Sequence, residues 1–180
     1  MIDRTALMMA QGIKDKIPDH PASIAVLKFS IAIIINTVSI ITLTLLVSIF
    51  TGNTKEAAIA LIAFAILRQV SGGKHLNSNI SCILVTTTLF TAISFVEMNS
   101  LWTKILTVLS LVLVLLFAPS SIEKQSRIPK KYYPLLKVIS SLLIIMSFYI
   151  SVPALTLTFF IQSLTLIPLK GGENNEKNRN

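Results

Sequence analysis

Five uncharged runs constrain this chain more than any motif does. Residues 29–54 give 26 positions without charge, 57–67 give 11, 76–96 give 21, 105–122 give 18 and 138–169 give 32. A bilayer core about 30 Å thick needs roughly 20 apolar residues in a helix, each advancing about 1.5 Å. In lipid, a helix satisfies its own backbone hydrogen bonds. Hydrophobic residues make up 53% of the 180 and charged residues only 13%, where soluble domains usually carry about 25%. The expected fold class is all-α, a polytopic integral membrane protein.

The 32-residue run would make a helix of about 48 Å, too long for one crossing. Pro153 lies near its middle and lacks the N–H that a continuing helix needs. Two spans are expected there, 134–151 and 153–169, with Lys137 snorkelling at the end of the first. The others fall at about 29–50, 54–70, 78–96 and 101–118, within a single membrane domain over 1–170. Residues 171–180, polar and without aromatics, read as a disordered cytoplasmic tail. Residues 1–20 carry Ile2, Ala6, Met9, Ile13 and Ile17 at helical spacing. That stripe reads as an amphipathic helix on the inner leaflet or one packed on a cytoplasmic loop.

Segment 57–67 is too short to span on its own, so lysine and arginine must decide whether it crosses. If it does, the chain crosses six times. Both ends then lie in the cytoplasm, and of the 16 basic residues only Lys55 and Lys104 lie outside. If it does not, most of them fall outside, against the positive-inside rule. Six crossings are therefore expected, in a bacterial cell membrane, with the loop 68–75 on the cytoplasmic face.

That loop opens the stretch Arg68–Cys82, RQVSGGKHLNSNISC, which holds the only cysteine and one of the two histidines. A single thiol makes no internal disulfide, so it is reactive, a ligand or packing. Thiolate is a strong nucleophile, and a histidine can take its proton. His75 and Cys82 are seven apart, about 10.5 Å along a continuous helix, so the chain must bend if they act together. Gly72 and Gly73 permit such a bend, and Ser71, Asn77, Ser78 and Asn79 favour turns and caps. Arg68 suits a substrate carboxylate or a lipid phosphate. From spacing alone, a packing cysteine and a solvated histidine are the more usual reading, and a catalytic pair is the alternative.

Other chemistries find less support. Cys82, His75 and His20 do not make a four-ligand metal set, so no metal or other cofactor is expected. No pair of acids lies inside a span to make an aspartyl site; Glu56 falls at the rim of its segment. A Gly-x-Ser-x-Gly elbow and a phosphate-cradling glycine loop are both lacking.

The pattern R-x3-GG-x-H-x6-C, here Arg68, Gly72, Gly73, His75 and Cys82, resembles the signature of the accessory gene regulator protein B (AgrB) family. The stretch FAPSSIEKQSRIPKKYYPLLK is similar to that family's Ala-Pro followed by a basic, proline-containing loop. Lys74 stands where the family pattern has an aromatic residue. The resemblance implies a membrane cysteine endopeptidase that trims an autoinducer precursor peptide on the cytoplasmic side. By transfer, Cys82 is the nucleophile, His75 its general base, and Arg68, Gly72, Gly73 and Lys74 shape the site. The chain would form a thioester with the peptide, and ring closure would release a cyclic thiolactone or lactone. Lys124, Arg127, Lys130 and Lys131 would hold the acidic tail that family precursors carry, or else set topology and touch anionic phospholipid. The family also suggests a homodimer; no nucleic-acid partner is expected. The rival reading is a non-enzymatic membrane protein, such as a peptide exporter or an immunity or transport subunit.

Overall fold

Helix boundaries follow local chemistry. In the computed structural model, which describes residues 2–73, 78–120, 122 and 128–168, the chain forms α1 (Ile2–Lys16), α2 (Ile24–Thr51), α3 (Thr54–Ser71), α4 (Asn79–Ser94), α5 (Ser100–Phe117), α6 (Tyr133–Ile150) and α7 (Pro153–Leu164). A short 3-10 turn, Lys130–Tyr132, leads into α6. The Ser23 side chain accepts from the Val26 amide to start α2, and Gly52 in the left-handed conformation ends it. Asn99 caps α5 through its side chain. Ser151, at φ 51, turns the chain out of α6, and Pro153 opens α7, where its missing N–H costs nothing. α7 ends at Leu164, short of the expected 169, because Thr165, Leu166 and Ile167 close tighter turns ahead of Pro168. Residues 171–180 lie outside the described residues.

α3 is the centre of the bundle. It packs against α2, α4, α6 and α7. Its buried positions Ala57, Ala60 and Ala63 let neighbouring backbones approach closely, and Leu67 joins them in the core. One core cluster groups Ala63 and Leu67 with Val114, Ile144 and Phe159; another groups Ala60 with Phe90, Ile93 and Ala154. This explains how segment 57–67, the shortest of the uncharged runs and nearly half alanine, can sit at the centre. A helix wrapped in protein needs small residues more than it needs lipid-facing bulk.

The outer faces are apolar instead. Phe50, Leu116 and Tyr149 are 89%, 66% and 83% exposed, a surface that water does not tolerate over so large an area. Three segments, Ile24–Thr51, Ser100–Phe117 and Lys130–Ile150, are long and apolar enough to cross a membrane, and α4 and α7 are shorter apolar helices. This fits a membrane protein. Several buried hydroxyls return to their own helix: Ser140 donates to the Leu136 carbonyl and Thr158 to that of Ala154, which satisfies them without water. α1 lies along α2 with Ala6 and Ala10 inward, whereas Met9 and Ile17 of the predicted stripe are more than half exposed.

Candidate active site

α3, α5 and α7 end together, and α4 begins beside them. The contact that gathers them is made by backbone. Gly73 donates its amide to the Ser120 carbonyl at 2.9 Å, and Ser120 donates back to the Ser71 carbonyl at 3.0 Å. This two-bond parallel bridge joins the Gly-Gly stretch to the segment after α5, which runs through a cis Ala118–Pro119 bond.

The glycines are demanded by this geometry. Gly72 sits at φ 76, and a Cβ there would overlap the Ser120 carbonyl oxygen and press on Ile122 at 2.7 Å. Gly73 sits at φ 121, where a Cβ would meet Thr165 Oγ1 at 2.6 Å. Residues with side chains rarely adopt such angles.

Gln162 of α7 holds the glycine stretch from the inside. Its side chain is fully buried. Nε2 donates to the Gly72 carbonyl at 2.7 Å and to Ser71 Oγ at 3.2 Å. Oε1 accepts from Arg68 Nη1 at 3.4 Å and from Thr165 Oγ1 at 3.3 Å. One carboxamide thus ties together the last turn of α3, the glycine stretch and the end of α7. Arg68 is thereby turned into the bundle. Its guanidinium lies 5.4 Å from the Phe64 ring centre and interacts electrostatically with Cys82.

Cys82 lies in the first turns of α4, half-buried and free. Its amide is committed to the Ser78 carbonyl at 2.9 Å. Asn36 of α2 donates from Nδ2 to Sγ at 3.6 Å, and Thr86 Oγ1 lies 4.0 Å from Sγ. A cation near the sulfur and an amide on it complement the negative charge that a sulfur nucleophile and its tetrahedral adduct carry. Among the described residues no cluster of histidine, cysteine and acids could hold a metal ion.

Of the sequence-predicted residues, Arg68, Gly72, Gly73 and Cys82 therefore gather at one end of the bundle. His75 and Lys74 lie outside the described residues, as do Lys124 and Arg127. Lys130 and Lys131 are exposed on the 3-10 turn before α6, with Lys131 Nζ 5.0 Å from the Tyr132 ring centre. α6 packs mainly on α5 and α3, while α4 packs mainly on α2 and α3. Gln162, Ser120 and Thr165 were not singled out from sequence, although Gln162 is the only amide side chain in 138–169, and a polar group in such a run invites a functional reading.

A family model described as accessory gene regulator B matches residues 6–167. An AgrB-like protein of Halalkalibacterium halodurans is 27% identical over 196 aligned residues, covering 99% of this chain and 100% of that protein. No solved structure matches. The matched segment takes in α2 to α7, the paired glycines, the Ala-Pro turn and the sole thiol, and the chain belongs to the AgrB family.

Proposed function

We propose that this chain is a membrane-embedded cysteine endopeptidase of an accessory gene regulator system, acting on an autoinducer precursor peptide at the cytoplasmic face. The observation that carries the reading is the setting of Cys82. The only thiol of the chain accepts from the Asn36 carboxamide and feels the charge of Arg68, whose guanidinium shares Gln162 with the glycine stretch.

Cys82 attacks the scissile carbonyl and His75 takes its proton. The tail of the peptide leaves as an amine that regains that proton, and a thioester joins the remaining peptide to Sγ. A cysteine or serine within the peptide then attacks the thioester and releases a thiolactone or lactone ring. The exchange between two thioesters is nearly balanced in energy, so ring closure competes when water is kept out. A site at the membrane rim would serve that end. Six crossings, with both chain ends and the site in the cytoplasm, follow from the distribution of basic residues.

The experiment is trapping. A precursor lacking its ring-closing residue should leave a hydroxylamine-sensitive adduct on Cys82. Cys82→Ala should form no adduct and cut nothing, and His75→Ala should lose the roughly 10²–10⁴-fold that a general base supplies. Cleavage by Cys82→Ala at the wild-type rate would sink the reading and favour a non-enzymatic membrane protein.

A further inference from the structure

Asn36 follows three isoleucines on α2 and lies about 18 Å along the helix from Ile24. Its Nδ2 donates to Cys82 Sγ at 3.6 Å. Its Oδ1 is buried and has no hydrogen-bond partner among the described residues. A carboxamide half satisfied in an apolar helix is a cost that simple packing does not explain.

A second observation concerns the amide of the nucleophile. When a thiol attacks a carbonyl, negative charge moves onto the carbonyl oxygen and needs preorganised donors about 2.7–3.1 Å away. Cys82 cannot offer its own N–H without opening the helix, since that group donates to the Ser78 carbonyl at 2.9 Å. The donor must come from elsewhere, and the Asn36 carboxamide already touches the sulfur.

We propose that Asn36 is a catalytic residue of this acyl transfer, its Nδ2–H holding the Cys82 sulfur before attack and passing to the oxyanion afterwards. The inference rests on the acyl-transfer reading above. Sγ bonds to the scissile carbon as the carbonyl π pair moves onto oxygen. That oxygen is one bond from the carbon that joins the sulfur, so a donor on Sγ reaches it by a small side-chain rotation. When the oxyanion collapses, the C–N bond breaks, and the proton taken from the thiol leaves on the amine. Asn36 gives up no proton at any point.

The test uses the full chain in proteoliposomes with a synthetic precursor peptide bearing an internal cysteine ahead of an acidic tail. Asn36→Leu keeps the side-chain volume and suits an apolar helix; Asn36→Ala is the second variant. Single-turnover formation of the Cys82 thioester should fall about 10²–10³-fold in both, the loss typical of one oxyanion donor. KM should change little. Alkylation of Cys82 by iodoacetamide, which forms no oxyanion, should be largely kept, and thermal stability should be unchanged or higher. Near-wild-type thioester formation in Asn36→Leu would overturn the inference. So would a parallel loss of acylation and alkylation, which would assign Asn36 to holding the thiol alone. A wild type that leaves the peptide uncut, or a Cys82→Ala that cuts it, removes the acyl-transfer reading itself.

Discussion

The amide of Gly73 and the carbonyl of Ser120 meet at 2.9 Å, joining two segments that are 47 positions apart in the chain. The bond explains why a paired glycine and an Ala-Pro-Ser stretch occur in one sequence. Each supplies backbone to the other, and the side-chain-free face of Gly72 is the place where they touch. Gly72→Ala should therefore do double damage. It forces φ 76 on a residue with a Cβ and drives that Cβ into the Ser120 carbonyl. Strain of this kind costs of order 1–3 kcal/mol, and the collision adds to it. A lower melting temperature in detergent, together with near-complete loss of precursor cleavage, is the expected result. Normal cleavage by this variant would show that the bridge does not support the site.

Gln162 should act as a clamp. Its Nε2 donates to the Gly72 carbonyl while its Oε1 accepts from Arg68. Gln162→Leu leaves the buried Gly72 carbonyl without that donor, a cost of about 1–3 kcal/mol. Gln162→Glu keeps an acceptor for Arg68 but cannot donate to the carbonyl when ionised. Both variants should lose stability in urea unfolding, and both should lower kcat more than they raise KM, because the clamp positions the site. If Gln162→Glu proves as active as wild type, the bond to Gly72 is not what matters.

Much of this was legible in the sequence, for reasons that residues show. Uncharged runs and Pro153 mark where helices begin and stop, because local rules govern those places. Arg68, Gly72, Gly73 and Cys82 share a short stretch, so a motif could join them. The partners that complete the site could not be read that way. Ser120, Gln162 and Asn36 come from three other helix ends or faces, and only tertiary packing brings them to the stretch. Asn36 was visible as a polar residue in a greasy helix, but nothing local says which thiol it will meet. The centrality of α3 was equally hidden, since its short uncharged run looked like weakness rather than like a helix surrounded by protein.

Lys130 and Lys131 are exposed at the entrance to α6, where they would meet an acidic tail by charge rather than by fit. Neutralising both, as Lys130→Gln with Lys131→Gln, should raise the apparent KM for an acidic-tailed precursor. The rise should be larger at low salt, since exposed charges are screened within about 8–10 Å at physiological ionic strength. kcat should stay near wild type. Equal kinetics of the two proteins at every salt concentration would leave these lysines with a topological role only.

The crossing pattern can be tested on the helix ends themselves. Lys131 lies on the turn before α6, on the chain segment that follows the end of α5, and Glu97 lies between α4 and α5. α5 separates the two segments, so they lie on opposite sides of the membrane if it crosses. The concentration of basic residues near Lys131 assigns that end to the cytoplasm. In a Cys82→Ser background, which contains no other thiol, Glu97→Cys should label from outside intact cells with a membrane-impermeant maleimide. Lys131→Cys should label only after the membrane is opened. Label on Lys131→Cys in intact cells, with none on Glu97→Cys, would invert the topology and put Cys82 on the wrong face for a precursor made in the cytoplasm. Label on both in intact cells would mean that α5 does not cross, and the six-crossing arrangement would fail with it.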